Sequence, residues 1–313
     1  MDKLYGMRAW REWLKHSPGN LAGHMTPRSE VGREDERGRV ESYVNLQEIV
    51  SFLNVMNKGE ILLFRGQAND SELLPTLYRT IWYPPVAVGL EAVDLTSDRQ
   101  HFVRQLERAR ELVRLLLKGR LPRWRPFDTV PTAAWAVIQH YNIWPTPALD
   151  LTSSLRVAAS FALGLKQARG ASKRGPALQR KRGYLYVFGF DQIISDVMRL
   201  DAAPHNETER ATPELNVIRL SALCPPTTVR PHLQEAFLVT FPLPADQLRP
   251  AATANARLIA VIELVERGTQ PFWTTDFPQH SEALLNDELA AEIARRITYR
   301  FEEERFSLSE LMP

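Results

Sequence analysis

The chain has 313 residues, of which 44% are hydrophobic and 24% charged, ordinary globular usage that excludes a disordered or collagen-like polymer. Its net charge of +2, from 39 basic and 37 acidic residues, argues against global attraction to nucleic acid or an anionic membrane and leaves only local patches for such contacts. The single cysteine, Cys224, excludes an internal disulfide; with no apolar run long enough to cross a bilayer and an N-terminus too charged for a signal peptide, a cytoplasmic chain without membrane attachment is expected.

In chain order, Leu4, Met7, Trp10, Trp13 and Leu14 predict a short amphipathic helix over 4–16, docked on its own domain or on a partner. Residues 17–40 are polar, rich in Gly, Pro and charge, and read as a flexible linker. Leu46, Ile49, Val50 and Leu53 form the apolar stripe of a helix over 45–57, which Lys58-Gly59 ends. Residues 60–66 then predict a short strand carrying Arg65 near its end. Phe102, Leu106, Ala109, Val113 and Leu116 predict a helix over 97–118.

Residues 131–141 predict a buried helix that turns polar at Gln139-His140-Tyr141. A strand over 146–151 and a buried helix over 154–168 follow, and 184–190 is the clearest strand of the chain. Further strands are expected over 235–241 and 258–264, and a last helix over 282–300. The whole reads as α/β (α+β): a mixed central sheet with flanking helices. Residues 1–39 form an N-terminal helix and linker, 40–300 the main domain, and 301–313 a C-terminal tail.

No Cys-x-x-Cys, His-Glu-x-x-His or EF-hand pattern is present, so no metal is expected. Walker, Rossmann and Gly-x-Ser-x-Gly fingerprints are missing too, which points away from P-loop ATPases, dinucleotide dehydrogenases and α/β-hydrolases. Nuclease chemistry lacks its cluster of metal-binding carboxylates. Arg65, at a strand end beside Gly66, suits a bidentate grip on phosphate or carboxylate, or an internal ion pair. Thr152, Ser153 and Ser154 open a helix and serve as caps, or their amides face an anion. Between Asp150 and Asp191 there is no acid, while Lys166, Arg169, Lys173, Arg174, Arg180, Lys181 and Arg182 make a basic loop over 166–182. That loop is either a nucleic-acid contact or a solvated insertion.

Three segments together resemble the FRG-domain family, named for its Phe/Tyr-Arg-Gly motif. They are Phe64-Arg65-Gly66-Gln67 with Leu74-Pro75 and Arg79; Gln139-His140-Tyr141 with Pro145-Thr146, Leu149-Asp150, Thr152 and Ala158-Ala159-Ser160-Phe161-Ala162; and Arg230 with Gln234-Glu235-Ala236-Phe237. The likeness covers about 40–295. Asn142 stands at the family's Gly, Pro147 at its Arg and Leu151 at its Trp, departures that bear on substrate choice and activity.

The family's motif order is similar to that of ADP-ribosyltransferases, which implies a split-sheet fold. It also implies an enzyme using NAD as substrate and moving ADP-ribose to a nucleic-acid or protein acceptor, as a toxin or phage-defence effector under an antitoxin or other regulatory protein. In that reading Glu235 or Gln234 grips the ribose during glycosidic cleavage, and His140 binds ribose or deprotonates the acceptor. Arg65, Gln67, Gln139, Thr152 and Ser153 hold NAD. On a strand, Gln234 and Glu235 would alternate, so only one of them would face the site. The competing reading is a noncatalytic module that binds nucleic acid or protein.

Overall fold

A computed structural model describes residues 4–15, 37–71, 73–76, 131–140, 146–165, 181–191, 197–201, 214–224, 229–240, 257–267 and 271–280. The helices expected over 97–118 and 282–300, the basic loop short of Lys181, and the tail over 301–313 lie outside these residues.

Eight strands build one mixed sheet: β1 (Arg37–Val40), β2 (Glu60–Gln67), β3 (Ala148–Thr152), β4 (Arg182–Asp191), β5 (Val197–Asp201), β6 (Glu214–Arg219), β7 (Ala236–Thr240) and β8 (Leu258–Val265). Their order across the sheet is β1-β8-β4-β2-β3-β7-β6-β5. Only β1 and β8 pair in parallel; the other neighbours are antiparallel. The expected mixed sheet is therefore present, and hydrogen bonds make it continuous. Its weak line is the β2–β3 seam, where Phe64 and Thr152 are the single register pair, against eight pairs between β2 and β4.

Alternation along the strands sorts the core into two faces. Leu63, Tyr186, Phe188, Leu149, Leu151, Phe237 and Val239 pack on one side. Leu62, Phe64, Leu185, Val187, Ile259 and Ile262 pack on the other, against α1 (Met7–Lys15), α2 (Tyr43–Met56) and α4 (Leu155–Leu163). Leu63 is fully buried, which stabilises the fold by about 1.5–3 kcal/mol relative to an exposed leucine. Leu151, at the family's Trp position, is an ordinary core side chain.

The helix α2 begins where Ser42 Oγ accepts the Asn45 amide at 3.2 Å. The N-terminal helix docks on its own domain: Trp10 and Trp13 meet Phe52 of α2, and Asn57 exchanges hydrogen bonds with the Tyr5 backbone. The expected linker over 17–40 ends in a strand, because β1 finds an edge on β8; its short polar sequence carries no apolar alternation to announce it. Likewise α4 stops at Leu163 rather than near 168, since Gly164 takes φ 85° and turns the chain out of the helix. Strands β5 and β6 and the short helices α5 (Leu220–Leu223) and α6 (Val229–Leu233) were not expected from the sequence. Among the described residues no helix is long and apolar enough to cross a membrane.

Candidate functional site at the sheet seam

The seam gathers polar groups from segments far apart in sequence. Helix α3 (Pro131–His140) ends beside β3, and its last two residues reach Asp150. Gln139 Nε2 donates to Asp150 Oδ2 at 2.9 Å, and His140 Nδ1 lies 3.6 Å from Asp150 Oδ1. From β2, Arg65 Nη1 donates to the Asp150 backbone carbonyl at 2.8 Å, and its Nε donates to Gln67 Oε1 at 3.1 Å. Gln139 Oε1 accepts the Thr146 and Thr76 hydroxyls, so its amide orientation is set by three partners.

Asp150 is thus the hub, and sequence reasoning left it out of the candidate site residues. Its signal was present as an acid two positions before Thr152 on an otherwise apolar strand. Burial pushes its carboxyl toward the neutral form, but the close approach of His140, the Gln139 hydrogen bond and the Arg65 charge outweigh it, so the pKa lies below the usual 3.8. His140 is 2% exposed at its side chain and Asp150 35%, with the Asp150 Oδ1 that faces His140 shielded from solvent.

Thr152 plays a different part. Its hydroxyl donates to the Gln234 carbonyl at 2.6 Å and accepts the Ser154 amide at 2.9 Å, which fixes the turn into α4. The N-cap position of α4 falls at Ser154, whose side chain makes no capping bond. Pairing with Phe64 places Thr152 on the opposite face of the seam from Arg65, the next residue along β2. Arg65 therefore meets Asp150 at its backbone carbonyl and Gln67 meets Arg65, whereas Gln139 and His140 meet the Asp150 carboxylate, which alternation puts on the Thr152 side of the strand; Thr152 ties that strand to the third motif block.

The third block departs from the expected strand. Gln234 and Glu235 form the turn between α6 and β7, which starts at Ala236. Strand alternation accordingly does not apply to the pair; the turn sets their exposure. Gln234 is buried and Glu235 exposed. Glu235 takes φ 45°, the left-handed region that residues with a Cβ rarely occupy, and is the one such non-glycine among the described residues. Ser153 holds it there: its Oγ donates to Glu235 Oε2 at 2.8 Å and its amide to the Glu235 carbonyl at 3.2 Å.

A neighbouring group was also unread in the sequence. Arg156 Nε, on the first turn of α4, donates to His280 Nε2 at 2.9 Å, and the His280 amide donates to Ser160 Oγ at 3.0 Å. Burial, then the Arg156 charge, lower the His280 pKa, while Glu235 acts against them. Of the basic loop, only Lys181 and Arg182 are described; both are exposed, and Arg182 Nε pairs with Glu263 Oε1 at 2.9 Å.

No curated protein and no solved structure matches the chain. The Arg65 turn, the Gln139-His140 helix end and the Asp150 strand all fall within residues 60–170, and that segment matches the model of the FRG domain.

Proposed function

We propose that this chain is an ADP-ribosyltransferase-like enzyme that cleaves NAD and transfers ADP-ribose to a nucleic-acid or protein acceptor, acting as a toxin or defence effector under a regulatory protein. The observation that carries this reading is Glu235, an exposed carboxylate in a left-handed backbone held by Ser153, one strand beyond the Asp150–Arg65 cluster. Strained non-glycine residues concentrate at functional sites because the surrounding structure must hold them there. Arg65 lies on β2 and Glu235 in the turn that leads into β7; these two strands flank β3 at two strand spacings, about 10 Å, a scale that suits the pyrophosphate and the nicotinamide ribose of one NAD.

In the reaction, the bond between ribose C1 and the nicotinamide nitrogen breaks, and its electron pair leaves with neutral nicotinamide. The acceptor nucleophile bonds to the same carbon and releases its proton to the site or to water. Glu235 opposes the positive charge that grows on the ribose ring, while Arg65 holds the pyrophosphate. Asp150 fixes His140 and, through its backbone carbonyl, Arg65. A second reading, a noncatalytic binding module, draws support from polar groups already spent inside the protein: Gln139 is held by Asp150, Thr146 and Thr76, and Thr152 by Gln234 and Ser154.

The test is isotope-labelled NAD incubated with the protein and a mixture of acceptors, with NAD affinity measured alongside. Glu235→Gln should cut nicotinamide release by about 100-fold or more with little change in NAD affinity, as expected for a contact made mainly in the transition state. Arg65→Lys keeps the charge but loses the planar fork, so it should weaken NAD binding. Gln234→Ala should act through stability, because the buried side chain lies behind the turn. No NAD binding by the parent chain would leave the noncatalytic reading.

A further inference from the structure

Beside Glu235 lies a surface that the proposed reaction does not use. Segment 271–280 runs along α2 and α4, pinned by the Tyr43 amide on the Phe272 carbonyl at 2.8 Å, by Gln279 on the Gly164 carbonyl, and by His280 on Ser160. These contacts stack rings at the surface. Trp273 lies 5.1 Å from the buried Tyr43 ring at 28°, and Phe277 lies 5.6 Å from it at 40°. Phe277 is 38% exposed, and Trp273 is partly exposed.

Arg156 continues the strip toward the seam. Its charge acts on Tyr43, whose hydroxyl burial pushes up to about 12. Its Nε is held by His280, the bond that leaves the Nη side of the guanidinium for an incoming group. The lowered pKa of His280 keeps the imidazole neutral, hence an acceptor, at neutral pH. Within 271–280 the single acid is Asp276.

We infer that Phe277, Trp273 and Arg156 form the acceptor-binding strip of this enzyme, and that the acceptor is a single-stranded nucleic acid. A base stacks on the exposed ring face of Phe277, and the guanidinium of Arg156, steered by His280, takes the adjoining phosphate. That combination of a sequence-tolerant π face and a fixed cation is how single strands are held without base readout. A peptide acceptor has no comparable need of a flat ring beside a phosphate-sized cationic fork. The strip leads from segment 271–280 through His280 to Arg156, one helical turn beyond the Ser153 that binds Glu235, so a strand lying on it brings a nucleotide toward the reacting carboxylate. The assignment of the strip as an acceptor site rests on the proposed NAD chemistry; binding to the strip does not.

The experiment uses the full chain and labelled single-stranded DNA and RNA oligonucleotides of about ten nucleotides, without NAD, followed by Trp fluorescence and anisotropy over a salt series. The parent should bind, with Trp quenching from stacking. Phe277→Ala, which leaves the charge unchanged, should weaken binding by at least about fivefold, the lower end for one lost stack. Arg156→Gln should weaken it and flatten the salt dependence by about one phosphate contact. Asp276→Asn should tighten it. Parent-like binding by both Phe277→Ala and Arg156→Gln, with unchanged melting temperatures, overturns the strip, as does the lack of binding by the parent. Oligonucleotide binding without nicotinamide release under any condition retains the strip and removes the NAD reading. Nicotinamide release and labelling of protein but not oligonucleotide does the reverse.

Discussion

Glu235 holds φ 45° with a Cβ, a conformation that costs roughly 1–3 kcal/mol, and does so with its carboxylate exposed. Glycine at the same position would adopt it without steric penalty, though with more backbone entropy to lose. Glu235→Gly should therefore raise the urea midpoint, by an amount equivalent to about 1 kcal/mol at most, while nicotinamide release falls. A residue without a chemical role would show the same gain in stability and unchanged nicotinamide release. Thr152 is the opposite kind of residue. Thr152→Val keeps the shape and removes the hydroxyl that serves Gln234 and Ser154, so about 1–3 kcal/mol of stability should be lost in chemical denaturation.

Elements meet most tightly where α4 crosses β2 and β4. A Cβ at Gly66 would strike the Ala158 carbonyl oxygen and come within 2.7 Å of the Ala162 amide, and one at Gly183 would strike the Ala162 carbonyl. The helix axis can lie this close only because those strand positions lack side chains. Gly66→Ala should force α4 off the sheet at a cost of at least about 1–3 kcal/mol, read as a lower melting temperature. Because Arg65 and Gln67 flank Gly66, the same variant should weaken NAD binding, and a second-site reduction at Ala158 cannot restore it when the clash is with backbone. In this way the Arg-Gly pair has one residue for the site and one for the packing that holds the site in register.

Among the described residues, two groups with lowered pKa shape the response to acid, with the same sign. His280 has a lowered pKa, so the unfolded chain binds its proton first; the stability it contributes is complete above the free value of 6.5 and declines as pH falls below it. Asp150 also has a lowered pKa, so its contribution is present above 3.8 and is lost as pH falls through the lower folded value. Urea midpoints measured against pH should therefore fall in two stages. His280→Gln should remove the upper stage and Asp150→Asn the lower one; a single stage shared by both variants would show that the groups do not act separately. The seam between β2 and β3, with one register pair, is where acid should loosen the sheet first, which hydrogen exchange of the β3 amides can follow.

How much of this was legible beforehand follows from the range of each interaction. Local periodicity placed α2, β2, α3, β3 and β4 within a few residues, because alternation and helical stripes are properties of adjacent side chains. The motifs likewise marked Arg65, Gln139 and His140, and the FRG match to 60–170 followed from them. Strand β1 could not be read, since Arg37-Gly38-Arg39-Val40, with a single apolar side chain, becomes a strand only through a distant partner edge on β8. The different exposure of Gln234 and Glu235 was equally out of reach: it follows from a left-handed turn that Ser153 secures from the end of another strand. Asp150 as the hub, and Arg156 with His280 beside the Tyr43–Trp273–Phe277 rings, exist only once distant segments are packed together. Sequence by itself determined which segments are apolar enough to form the layers. The tertiary structure alone decided which polar groups meet at their seams, because hydrogen bonds and charges act over a few ångströms of space, with no regard to separation along the chain.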